Sequence, residues 1–222
     1  MIIAIDGPAG SGKSTVSRAI ARKLNILYLD TGAMYRAVTL RALMLKADLT
    51  DEAALGRIAA DARIRLEEGR ENDAVTVYLD GEDVTAAIRD PELTAKVKYI
   101  AAAPSVRGVM VKEQRSMAGS RDVIAEGRDI GTVVFPNADF KFFLDADLDE
   151  RAGRRLKELA QMDKKISFPG LKEEMQKRDI ADRTRAVSPL KKAEDAILID
   201  TTRLTVEGVI EKVLSLISAE QK

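Results

Sequence analysis

Residues 7–15 leave this chain few architectures to choose from. Gly7-Pro8-Ala9-Gly10-Ser11-Gly12-Lys13-Ser14-Thr15 matches G-x-x-x-x-G-K-[ST] in full, and it follows the apolar run Met1-Ile2-Ile3-Ala4-Ile5, which ends at Asp6. Strand, glycine-rich loop and helix, in that order, make a phosphate cradle. The glycines let backbone N–H groups converge on phosphate oxygens, and the helix that follows points its positive end at them. Lys13 adds charge near the β and γ phosphates, and Ser14 is the expected ligand for Mg²⁺. All nine residues are therefore predicted to hold ATP. The alternative is a glycine-rich strand-to-helix turn with an exposed lysine.

The rest of the chain agrees with an α/β fold. Short apolar runs at Ile2 to Asp6, Leu27 to Leu29, Val123 to Ala125, Phe140 to Leu144 and Ile197 to Ile199 are too continuously apolar for a sheet with one wet face. Segments of helical period separate them, so a parallel five-stranded sheet with helices on both faces, a three-layer core, is predicted. Val206, Val209, Ile210, Val213, Leu214 and Ile217 predict a core-packing last helix, with Thr205 as its N-cap.

Two stretches depart from this pattern. Arg63-Ile64-Arg65-Leu66 and Val75-Thr76-Val77-Tyr78-Leu79 alternate with period two around the polar Gly69 to Asp73 turn, which predicts an antiparallel insertion. Gln161 to Pro189 is charged, contains Gly170 and two prolines, and has only a weak amphipathic signal over Leu171 to Ile180. It reads either as a mobile helical lid or as an ordinary exposed helix and loop.

Composition removes whole classes of chemistry. With no Cys and no His, zinc ribbons, thiol nucleophiles, Ser-His-Asp triads and imidazole bases are excluded. Lys plus Arg number 36 and so do Asp plus Glu, leaving no net basic field for a nucleic acid backbone. The N-terminal run lacks the flanks of a signal peptide, and no segment approaches the ~20 apolar residues of a membrane span. A cytoplasmic protein that meets neither membrane nor nucleic acid is expected.

A phosphate cradle alone does not separate small-molecule kinases from GTPase switches. Asn-Lys-x-Asp, the guanine-reading sequence, is absent. Arg151, Arg154, Arg155, Arg178, Arg183 and Arg185 gather downstream, and transfer of phosphate between two anionic nucleotides needs such cations. Arg151 and Arg155 lie four apart on one predicted helix face, which aims at least one of them at the transferred phosphate or leaves both solvated or ion-paired.

Four blocks, in order, resemble the bacterial cytidylate kinases. They are the phosphate loop, Leu29-Asp30-Thr31-Gly32-Ala33-Met34-Tyr35-Arg36, Glu126-Gly127-Arg128-Asp129-Ile130-Gly131-Thr132-Val133-Val134-Phe135-Pro136, and the run Lys177 to Pro189 that begins Lys-Arg-Asp-Ile-Ala-Asp-Arg. The resemblance implies a P-loop core over 1–61 and 101–222, with a lid at about 151–189, and an insertion over 62–100 that binds the nucleoside monophosphate. It implies that Arg107 and Asp129 read cytosine with Thr31 close by, that Arg36, Arg128 and Arg185 hold acceptor phosphate, and that Arg178 and Asp182 hold the ribose. The chemistry agrees, because cytosine offers an amino donor to Asp129 and acceptors to Arg107. Arg128 and Asp129 could equally brace the loop after their strand. The family often has a serine near the base where this chain has Lys98, which is left out of the expected site.

The implied activity is transfer of the ATP γ-phosphoryl group to CMP or dCMP by a monomer, with Mg²⁺, and with Lys13, Arg128, Arg185 and Arg155 as the catalytic set. The competing readings are a kinase for UMP or AMP, a kinase for a small metabolite, and a nucleotide-sensing module without turnover.

Overall fold

The computed structural model describes residues 1–67, 75–161 and 166–220. In chain order the elements are β1 (Ile2–Asp6), α1 (Lys13–Leu24), β2 (Leu27–Asp30), α2 (Thr31–Met44), α3 (Glu52–Asp61), β3 (Ile64–Glu67), β4 (Thr76–Leu79), β5 (Glu82–Asp83), a 3₁₀ turn (Ala87–Arg89), α4 (Pro91–Ala102) and α5 (Pro104–Ala118). There follow β6 (Val123–Gly127), a π-turn (Ile130–Val134), β7 (Phe140–Asp145), α6 (Leu148–Gln161), α7 (Phe168–Thr184), β8 (Ile197–Asp200) and α8 (Val206–Glu220).

A five-stranded parallel sheet runs in the order β2-β6-β1-β7-β8. Its strands coincide with the five apolar runs. β1 lies between β6 and β7, pairing Ile3 with Ile124 on one side and with Phe140 on the other. That central place explains why Ile3, Ala4 and Ile5 are fully buried and why the strand shows no polar alternation.

The chain separates into two compact units, residues 1–26 with 123–222, and residues 27–122. In the first, α8 places Val209, Ile210, Val213 and Ile217 inside. Thr205 caps it, its hydroxyl oxygen accepting from the Gly208 N–H at 3.1 Å. Val206, expected on the apolar face, is instead 42% exposed, because the first helical turn lies beyond the packed stripe. Ala152 and Leu159 of α6 pack with Leu171 and Met175 of α7. The expected lid segment therefore holds two packed helices, while residues 162–165 lie outside the described residues.

In the second unit, β3, β4 and β5 form a separate antiparallel sheet. Val77 and Leu79 from it, with Val84, Ile88, Ala33 and Ala37, make a core of their own. The segment 62–100 falls within this unit, and the expected Gly69–Asp73 turn lies outside the described residues. α3 and α5 meet closely: a Cβ on Gly56 would stand 2.8 Å from the Cβ of Ser105, whose hydroxyl donates to the Glu52 carbonyl at 2.8 Å.

No helix among the described residues is long and apolar enough to cross a membrane.

Candidate functional site

The cradle is built from glycine backbone. Gly7, Gly10 and Gly12 all have positive φ, at 152°, 76° and 91°, and Gly12 is the N-cap of α1 with no side-chain hydrogen bond to its first turn. The N–H groups there are thus not taken up by a capping side chain, which is how a helix start receives an anion. The loop is braced from below. Thr201 donates its hydroxyl to the Ser11 carbonyl at 3.1 Å, and Arg154 holds Thr201 in turn through its hydroxyl oxygen and carbonyl oxygen at 3.1 and 2.7 Å.

A Cβ on Gly7 would stand 2.0 Å from the Leu144 carbonyl oxygen. Strand β7 cannot yield there without breaking its pairing, and φ itself disfavours a side chain. Gly7→Ala is expected to lose at least about 3 kcal/mol, a fall in Tm of about 10 °C for a chain of this size. A melting curve within 3 °C of the parent would contradict the clash.

Lys13 opens α1 and is buried. Its ammonium donates to the Pro8 carbonyl at 2.7 Å and stands 3.4 Å from the Ser11 hydroxyl oxygen. Burial and the nearby Arg128 pull its pKa down to about 7, against Glu126 and Asp6, which hold it up. Ser14, next along, is exposed at the first turn of the helix. A single hydroxyl is a donor set that suits a Mg²⁺ ion whose other ligands are phosphate oxygens and water.

Asp6 closes β1, just before the cradle. Its two carboxylate oxygens accept the N–H groups of Ile130 and Gly131, each at 2.8 Å, which pins the π-turn immediately after Arg128 and Asp129. Burial pushes the Asp6 carboxyl up to about 6 from 3.8, although both N–H bonds oppose the rise. A pKa raised on folding means that the native state binds the proton more tightly, so this stability is full below about pH 4 and is lost as pH rises through about 6. The amount is roughly 3 kcal/mol. Urea unfolding should show the advantage of the parent over Asp6→Asn shrinking by that amount between pH 4 and pH 7; a flat difference would contradict it.

Around this frame stands a cluster of charge. Arg128 donates from Nε to Asp182 at 2.9 Å and from a terminal nitrogen to the Gly127 carbonyl at 3.2 Å. Asp182 belongs to α7, where burial would raise its carboxyl but Arg128 and Arg178 hold it below the usual carboxylate range. Arg178 is half-buried, and desolvation together with Arg128 and Arg155 lowers its pKa from the usual guanidinium range, with Asp182 and Asp179 opposing. Asp129 is buried with Arg185 at 3.6 Å, and Arg185 also donates to the Ser188 carbonyl at 2.5 Å. The first unit thus brings together the phosphate loop, Arg128, Asp129, Arg178, Asp182 and Arg185.

Arg155 and Arg151 diverge. Arg155 pairs with Glu158 at 2.8 Å on the half-exposed side of α6, while Arg151 is buried and makes three contacts. Its Nε donates to the Ala146 carbonyl at 2.9 Å, one terminal nitrogen to the Ala9 carbonyl at 3.1 Å, and the other meets Asp179 at 2.7 Å. Asp6, Glu126 and Asp179 were not among the expected site residues, and Arg151 was expected only as one of the pair with Arg155. The available signal was weak: a buried charge is recognised by its partners, and these lie far away in sequence.

The other expected residues belong to the second unit. Thr31 is buried at the start of α2, after Asp30, whose carboxylate accepts the Ala33 N–H at 2.9 Å. Arg36 reaches the Ile88 carbonyl at 3.2 Å and the Thr94 hydroxyl at 2.5 Å, tying α2 to the 3₁₀ turn and α4. Arg107 is buried on α5, 3.3 Å from the Ala101 carbonyl and 5.4 Å from the Tyr35 ring centre. Lys98 is exposed and lies over Tyr99.

A strand-ended phosphate loop on a parallel sheet, with Lys13 buried in it and arginines gathered beside it, defines a P-loop kinase. The chain belongs to the cytidylate kinase family, whose profile matches residues 3–219. It is 49% identical to the cytidylate kinase of Desulforamulus reducens, over 96% of this chain and 95% of that protein. With the cytidylate kinase of Caldanaerobacter subterraneus subsp. tengcongensis it shares 48% identity over 99% of this chain and 96% of the relative. A solved structure of an uncharacterized protein from Eubacterium ventriosum shares the fold alone, with a TM-score of 0.53, 12% identity and 98% of both chains covered.

Proposed function

We infer that this chain transfers the γ-phosphoryl group of ATP to CMP or dCMP, giving ADP and CDP or dCDP. Family membership over 217 of its 222 residues carries that reading (residues 3–219 of the chain). The cluster described above supports the assignment of roles within it.

ATP is the phosphoryl donor. Its phosphates would lie on residues 7–15, with Ser14 holding Mg²⁺, which neutralises charge on the β and γ oxygens when bound. The acceptor's own phosphate oxygen attacks phosphorus in line. That oxygen is largely ionised near neutral pH, since a phosphate monoester has its second pKa near about 6, so no general base is required. Catalysis is then positioning and charge stabilisation. Lys13, Arg128, Arg185 and Arg155 would form the catalytic set, with Arg178 and Asp182 taking the ribose. Arg107 and Asp129, with Thr31, would read cytosine, and Arg36 would hold the acceptor phosphate. The protein would act as a cytoplasmic monomer.

ADP release from ATP·Mg²⁺ tests this, with CMP, dCMP, UMP, AMP and GMP offered separately against a control without acceptor. CMP and dCMP should exceed the others by at least about 10²-fold in kcat/KM, the discrimination available to a site that hydrogen-bonds its substrate. A different best acceptor would remove the base-reading roles of Arg107 and Asp129. ADP production indifferent to every acceptor would remove the kinase reading.

A further inference from the structure

Arg151 is a buried cation that the mechanism leaves unused. Its side chain is 6% exposed and its whole fork is engaged, by Ala146 at 2.9 Å, Ala9 at 3.1 Å and Asp179 at 2.7 Å. Ala9 lies within the phosphate loop. Asp179 lies on α7, directly after Arg178 and three residues before Asp182. Its second carboxylate oxygen is buried without a hydrogen-bond partner among the described residues, so Arg151 is the one ion pair formed there between described residues.

The backbone is equally close. A Cβ on Gly10 would meet the Arg151 carbonyl oxygen at 3.0 Å, the Arg151 Cβ at 3.1 Å and the Met175 methyl at 3.2 Å. Loop, α6 and α7 therefore touch at one point, and Arg151 supplies the polar bonds across it.

We propose that Arg151 is a positioning residue for phosphoryl transfer: its guanidinium ties the Ala9 peptide of the phosphate loop to Asp179, and so sets α7, with Arg178 and Asp182, in register with the donor phosphates. This rests on the kinase reading given above. A buried pair contributes little net stability over apolar side chains of similar size, because desolvation offsets the attraction. Only the guanidinium's planar fork can serve three fixed acceptors at once. Either nucleotide can occupy its own subsite without that register, and transfer between them requires it. Loss of the tie thus falls on kcat rather than on either KM.

The test compares Asp179→Asn, Arg151→Lys and the apolar double variant Arg151→Met/Asp179→Leu with the parent. Each should lose about tenfold to 10²-fold in kcat, the scale of an ångström's misplacement, with KM for ATP and CMP within about threefold. The double variant should melt near the parent yet stay slow, whereas recovery of kcat together with Tm would show a merely structural pair and overturn the proposal. Full kcat in Asp179→Asn would overturn it too. Hydrogen exchange supplies a readout independent of turnover: ATP·Mg²⁺ should increase protection of α7 amides in the parent and not in the double variant, and an equal gain in both would sink the idea. If the parent turns over no acceptor at all, the kinase reading falls, and this exchange comparison still decides the role of Arg151.

Discussion

Lys13→Ala is expected to lower kcat by at least about 10²- to 10³-fold, the loss seen when one preorganised charge-stabilising donor is removed, while Tm shifts by no more than a few degrees. The two halves of that result have separate causes. Lys13 is buried at the start of α1, and burial with the neighbouring Arg128 pulls its pKa down to about 7. A folded-state pKa lowered in this way marks a cation held in place against the preference of the fold. Deleting it relieves that strain. The Pro8 carbonyl loses one donor but keeps the Ser11 hydroxyl at 3.0 Å. For transfer nothing replaces it, since charge building on the β and γ oxygens would face a neutral methyl group. Steady-state kinetics with CMP alongside a thermal melt check both halves. Turnover within about tenfold of the parent would remove Lys13 from the catalytic set, and a large fall in Tm would make it structural.

The second large effect is expected at Asp129→Ala, which should cut kcat/KM for CMP by at least about 10²-fold while changing the affinity for ATP less than about threefold. Asp129 is buried just after β6, and the turn that follows is held by the Asp6 carboxylate and by the Asp129 backbone carbonyl, which accepts the Val133 and Val134 N–H groups at 2.9 and 3.2 Å and is kept in the variant. The turn should survive the substitution. Arg185, 3.6 Å away, would lose one of its carboxylate neighbours while Asp182 still acts on it. Asp129→Asn separates the effects, because an amide can offer its carbonyl oxygen to an amino donor but carries no charge for Arg185. Equal losses in CMP turnover and in ATP affinity would make Asp129 a brace of the loop rather than a reader of the base.

Much of this was legible before any coordinates. The five strands were marked by apolar runs bounded by turn residues, and central parallel strands carry that mark because both faces are covered. The cap at Thr205 could be read for a similar reason, since it depends on residues three apart. The two packed helices α6 and α7 were much less clear. Met175 is buried while Ile180 is 55% exposed, so apolar residues occur on both sides of α7 and blur its period. The arginines of α6 were legible as a group and not individually. Sequence spacing set Arg151 and Arg155 on one face, yet one is a buried tie and the other pairs with Glu158 near solvent.

What the sequence determined by itself was whatever a contiguous stretch of chain can build. The proposed phosphate cradle is nine successive residues whose glycines and helix start would bind through their own backbone, so its pattern points to both ATP and the α/β framework that must carry it. What only the tertiary structure decided was which charges meet. Asp6 finds the N–H groups of Ile130 and Gly131 more than 120 residues on, and Arg151 finds the Ala9 carbonyl 142 residues back. The reason is physical: each of these groups is worth its burial only when a particular distant partner satisfies it, and the packing of helices on the sheet, not the local sequence, brings that partner within hydrogen-bond distance.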